Sequence, residues 1–161
     1  MYVHANTLHG GNYMANTKES RQPDTLSISV KRSILDDNGL ENLGNIIRSK
    51  ESLIKKALGT ESLRFDVTDE EVTFPWFVMR DPEDLNAYSI FIEKLCGLAK
   101  ALKRVNLKED TAVENDKYAF RCFLLRLGMV GDEYKNARKL LLRNLTGSSA
   151  FKTPKTKEDK T

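Results

Sequence analysis

Histidine is nearly missing from this chain of 161 residues: His4 and His9 are the only two, and none follows Met14. A Ser–His or Cys–His nucleophilic site therefore has no base in the body of the chain. Cysteine is equally scarce, with Cys96 and Cys122 alone. Two thiols without a core histidine cannot close a zinc site. Both sit inside helical patterns, so the reading is two buried thiols in a reducing cytosol, with a disulfide between them as the alternative. There is no Gly-x-x-x-x-Gly-Lys-Ser/Thr phosphate loop, no Gly-x-Gly-x-x-Gly and no EF-hand pattern. No apolar run approaches the roughly 18–20 residues that span a bilayer. The first ten residues have neither the basic region nor the apolar run of a signal peptide. The expectation is a cytoplasmic protein with no membrane partner, no cofactor and no metal.

What the chain has is charge, unevenly placed. Hydrophobic residues make up 40% and charged residues 30%, an ordinary globular composition, and the net charge is +3. Residues 117–152 carry eight Lys/Arg against two Asp/Glu, while residues 1–83 carry ten against thirteen. The basic excess lies on the last third, where an acidic partner would bind.

Residues 1–24 read as an unstructured segment without periodicity. Gly10-Gly11-Asn12-Tyr13-Met14 also fits a translated ribosome-binding site, which makes Met14 a candidate native start. Residues 25–152 read as a single α+β domain, and 153–161 as a polar, disordered tail. Leu26–Arg32 alternates as a half-buried strand. Leu40–Leu58 is helical, with Ser49 as a point where one helix kinks or two short ones meet, and Gly59 as its stop. Leu63–Val67 and Val72–Trp76 alternate around an acidic turn, a hairpin in which Pro75 marks an edge strand or the end of pairing. Asp81-Pro82-Glu83-Asp84 opens a helix running to about Arg104, with Asp81 as its N-cap. The order is β-α-β-β-α-α-α: a small sheet with a strand, a helix and a hairpin, followed by three packed helices on one face.

Residues 117–128 are apolar on two sides. Phe120, Phe123, Leu124 and Leu127 form one; Tyr118, Cys122 and Leu125 form the other. Such a helix is expected between layers, as the central core helix. The last helix sets Lys135, Lys139 and Arg143 on one ridge, with Arg138 beside it and Lys152 just beyond. Such a ridge suits phosphates. The helix–glycine turn–helix also resembles a helix-turn-helix, although the first helix reads as too apolar for a surface. A solvated basic face is the alternative. Arg121 and Arg126, between the apolar sides, fit either a partner-binding pair or packed stems with heads on Glu93, Asp132 or Glu133. Trp76 fits core or partner contact. The cluster Asp66, Asp69, Glu70 and Glu71 reads as a solvated turn, with weak Mg²⁺ binding as the alternative.

Several of these stretches carry a likeness. Leu53-Ile-Lys-Lys-Ala-Leu-Gly59, Phe74-Pro-Trp-Phe77, Lys117-Tyr-Ala-Phe-Arg-Cys-Phe-Leu-Leu-Arg-Leu-Gly128 and Glu133-Tyr-Lys-x-x-Arg-Lys139 through Lys152 resemble a "virulence-related protein" family of Firmicutes prophages and conjugative elements. The likeness spans about Leu26 to Lys152; longer members carry a further N-terminal segment. It implies an accessory protein of a mobile element, a class that includes regulators and inhibitors of host defence such as anti-CRISPR proteins. The expected function is non-enzymatic binding of DNA or RNA through Lys135, Arg138, Lys139, Arg143, Lys152, Arg121 and Arg126. The alternative is an inhibitor or adaptor that docks the same surface on a host protein complex.

Overall fold

The structure is a computed structural model that describes residues 2–5, 24–105 and 115–150. The candidate start at Met14, the tail from 153, and the placement of Phe151 and Lys152 fall outside them. The chain is α+β. Its strands are β1 (Tyr2–Ala5), β2 (Asp24–Lys31), β3 (Asp66–Val67) and β4 (Glu71–Met79), in the antiparallel order β1-β2-β4-β3. Its helices are α1 (Asp37–Ser49), α2 (Glu51–Leu58), α3 (Asp84–Ala101), α4 (Asp116–Arg126) and α5 (Lys135–Leu142).

One reading of the N-terminus needs correction. Tyr2–Ala5, grouped above with an unstructured 1–24, lies along β2 with Val3 opposite Ile28. Four residues are too short for periodicity to reveal; their pairing is tertiary. Leu26, Ile28 and Val30 turn inward from β2, while Ser29 bonds Thr73 across the other face at 2.7 Å. Alternation thus sorts the sheet into an apolar and a polar side.

Pro75 sits in a strand that is not an edge, since β4 lies between β2 and β3. Two features accommodate it. Pairing with β3 stops at Thr73, so Pro75 is never asked to donate on that side. On the other side a bulge shifts the register between Leu26 and Ile28, which face Phe77 and Phe74. The bulge also explains why Trp76 and its neighbour Phe77 are both buried. Trp76 is therefore core, not a partner contact. Its Nε1 donates to the Arg64 carbonyl at 2.7 Å, and Leu63–Phe65 lie outside the strand.

The long helical stretch breaks at Lys50 into α1 and α2. Ser49 does not cap the second helix; its hydroxyl donates back to the Ile46 carbonyl at 2.8 Å. Gly59 ends α2 in the left-handed region, at φ 67°. α3, not α4, is the central helix. It buries Ala87, Tyr88, Phe91, Ile92, Leu95, Cys96 and Ala99, and it packs against α1, α5, β2 and β4. Asn42, itself buried, donates to the Ala99 and Leu102 carbonyls at the end of α3. No helix among the described residues is long and apolar enough to cross a membrane.

The two thiols differ. Cys96 is buried and burial pushes it up to about 12, whereas Cys122 is exposed; neither is in a disulfide. The reading of two buried thiols holds only for Cys96. In the folded protein, 5,5′-dithiobis-(2-nitrobenzoic acid) is expected to label one thiol rapidly, and Cys122→Ser to abolish that phase. Two rapidly reacting thiols would contradict the burial of Cys96.

Candidate nucleic-acid interface

α4 begins at a buried cap. The Asn115 side chain accepts from Tyr118 N at 3.1 Å and donates through Nδ2 to the Ser148 carbonyl at 2.8 Å. Gly147 closes the far side of this contact at φ 111°, and a Cβ there would collide with the Asn115 side chain. Gly147→Ala thus adds backbone strain to a broken cap. We expect it to cost about 2–4 kcal/mol, read as a fall in the denaturant midpoint.

Phe120, Phe123, Leu124 and Leu127 bury one side of α4, and both phenylalanines meet Phe91 of α3, at 6.2 and 6.5 Å between ring centres. The opposite side is not sandwiched: Tyr118 and Leu125 are half-buried and Cys122 is exposed. The sequence shows apolar residues on both sides, but among the described residues only one side is buried against a partner layer. This removes the objection to α4 as a surface helix. Arg126 is exposed and Arg121 half-buried, and neither pairs with an acid among the described residues. Lys117 stands one turn before Arg121, also half-buried.

The turn into α5 is held from inside. Gly128 and Gly131 adopt φ 97° and 95°, while Met129 between them is fully buried. Arg138 donates from one nitrogen to the Met129 and Gly131 carbonyls, at 2.8 and 2.9 Å. Lys94 of α3 lies 5.1 Å from the Tyr134 ring centre, before α5 begins. Ala137, Leu141 and Leu142 are buried beneath α5, with Leu145 beyond it.

At the other end, Arg143 meets the deepest charge in the fold. Its two terminal nitrogens reach Asp84 Oδ1 and Oδ2, each at 2.8 Å, and Asp84 is fully buried. Asp84 also accepts from the N–H groups of Arg80 and Asp81, at 2.9 and 3.1 Å. Burial alone would raise this carboxyl, but the Arg143 hydrogen bonds and those two N–H groups outweigh it and hold it below the usual range. Tyr88 completes the cluster. Its hydroxyl donates to the Val78 carbonyl at 3.2 Å and accepts from Arg143 at 3.3 Å. Burial, then the Asp84 charge, raises the Tyr88 phenol. Asn144 extends the tie by donating to the Ala57 carbonyl at the end of α2.

The predicted basic ridge is therefore divided. Lys135 and Lys139 face solvent and make no ion pair among the described residues. Arg138 and Arg143 do not belong with them: one braces the glycine turn, the other locks onto Asp84. Helical spacing put Arg143 on the lysines' face, but the helix ends at Leu142 and a long side chain past its end can turn inward. The sequence offers Asp81 as the cap of this helix, but α3 begins at Asp84, directly after Glu83, and no local pattern marks Asp84 as buried. Asn136, exposed between the two lysines, carries no charge and so gives no signal in a pattern of basic residues. Among the described residues no group of three or more His, Cys, Asp or Glu is placed to hold a metal ion. In the acidic turn, Thr68 Oγ1 accepts from the N–H groups of Glu70 and Glu71, and Asp66 and Val67 are exposed. No known protein family, curated protein or solved structure matches the chain.

Proposed function

We propose that the chain is a non-enzymatic binding module that holds a nucleic-acid backbone with its α4–turn–α5 unit. We place it in the bacterial cytoplasm, as an accessory protein of a phage or other mobile element, in line with the resemblance carried by the stretches between Leu26 and Lys152. One observation carries the reading. The two arginines of the unit that point inward fix α5 at both ends, while Lys135, Asn136 and Lys139 are left facing out. A helix held this way can present its first turns to a groove. Lys135 and Lys139 would take phosphates, with Arg121 and Arg126 of α4 alongside. Asn136 is the side chain suited to a base edge, adenine above all.

Fluorescence anisotropy of the full chain with random duplex DNA and RNA tests it. Four phosphate contacts predict an affinity loss of roughly 150-fold between 50 and 200 mM salt. The alternative, docking of the same surface on a host protein complex, predicts no binding to free duplex at low salt.

A further inference from the structure

The glycine turn between α4 and α5 holds one apolar side chain out. Val130 keeps 60% of its surface exposed, more than Ile34 or Val67, the other exposed large apolar side chains among the described residues. A single exposed apolar residue is ordinary. The backbone beneath this one is not, because it is braced from several sides. Val130 N donates to the Gly128 carbonyl at 2.9 Å, and Met129 N to the Leu124 carbonyl at 3.1 Å. Met129, directly before it, is fully buried. Arg138 grips the carbonyls on either side of it, those of Met129 and Gly131. Val130 is therefore held at a fixed position at the tip of the unit.

The charges around the turn decide what that tip can meet. Arg126 ends α4 four residues before Val130, and Lys135 opens α5 five residues after it; both are exposed. Between them the chain reads Leu-Gly-Met-Val-Gly-Asp-Glu-Tyr, without a cation, and its two acids, Asp132 and Glu133, are exposed. Such a tip repels phosphates. When the flanking cations hold the backbone, the tip lies over base edges instead. A valine offers those edges methyl groups and no donor or acceptor. The apolar group in a major groove is the thymine 5-methyl, and carboxylates beside it can accept from cytosine N4. Asp132–Tyr134 is a 3₁₀ turn that leads into α5, so Asp132 and Asn136 stand about 7 Å apart along the chain, roughly two base-pair steps. An RNA duplex fits less well: uracil lacks the methyl, and the A-form major groove is too deep and narrow to admit the tip.

We propose that the ligand is B-form duplex DNA read at A·T pairs, with Val130 packed on a thymine 5-methyl and Asn136 on a neighbouring adenine edge. Val130 is then a specificity-determining residue, and the methyl it touches separates DNA from RNA. This inference rests on the nucleic-acid reading above and narrows it to one class of ligand.

The test is fluorescence anisotropy of the full chain at low salt with three duplexes. One is alternating A–T DNA, the second is the same DNA with deoxyuridine for thymidine, and the third is alternating A–U RNA. The thymine duplex is expected to bind roughly fourfold more tightly than the deoxyuridine duplex, the effect of burying one methyl. The RNA is expected to bind at least about tenfold more weakly than the thymine duplex. Val130→Ser, at an exposed position, is expected to keep the melting temperature and to bind the two DNA duplexes equally. Asn136→Ala is expected to weaken both alike and keep their ratio. Equal binding of the two DNA duplexes by the unaltered protein would overturn the proposal. So would a thymine preference that persists in Val130→Ser, which would trace it to DNA shape, or RNA bound as tightly as DNA. Each of these results leaves the nucleic-acid reading standing, whereas no binding to any of the three duplexes would overturn both.

Discussion

Arg143→Ala lowers stability by about 3–5 kcal/mol, the largest loss expected from any side chain outside the apolar core. It leaves the fully buried Asp84 carboxylate without its bidentate partner, and an uncompensated buried charge is among the costliest defects in a fold. For a chain of this length the melting temperature should fall by roughly 6–20 °C. Asp84→Ala should cost less, because the Arg143 side chain keeps 24% of its surface exposed and lies 3.5 Å from Asp81. Arg143→Lys should not restore the wild type, since an ammonium cannot span both oxygens. The pH dependence follows from the depressed Asp84 carboxyl. Its contribution is full above the unfolded carboxylate range near about 4 and is lost as pH falls through the folded value. In Arg143→Ala only burial and the two N–H bonds remain, so protonation costs the variant less. Melts at pH 7 and pH 3 should show the gap between the two proteins narrowing in acid. Equal melting temperatures at pH 7 would remove the clamp from the account.

Lys135→Glu with Lys139→Glu should do the opposite: unchanged stability and lost binding. Both residues are exposed and make no ion pair among the described residues, so the change in stability should stay within about 0.5 kcal/mol. Two lost phosphate contacts weaken duplex binding roughly 200-fold at 50 mM salt and flatten the salt dependence by about two contacts. Arg138→Ala separates position from charge. It unties the glycine turn, so stability and binding should fall together. A lysine pair that could be reversed without effect on binding would leave α5 as a merely solvated basic face.

Much of the fold was legible because period and caps agree. The Leu26–Arg32 alternation, the Gly59 stop and the glycine turn at 128–131 are local signals, and the structure keeps them. What was missed is tertiary. The two apolar sides of 117–128 look alike in sequence, yet only the side with Phe120 and Phe123 meets Phe91. Pro75 signals an edge strand or the end of pairing; pairing with β3 does end at Thr73, but the strand is an inner one, where a bulge makes room for the proline. The candidate site suffered most. Lys135, Lys139, Arg138 and Arg143 are equivalent cations to a periodicity argument. Their difference rests on Asp84, 59 positions before Arg143, and on two carbonyls of a turn.

The most direct test is an amide chemical-shift map of the full chain titrated with random duplex DNA at low salt. The largest shifts are expected at Lys135, Asn136 and Lys139, with further shifts along Arg121–Arg126 and none at Ile34 and Gly97. A spectrum unchanged at saturating duplex, or shifts centred away from α4 and α5, would contradict the proposed interface.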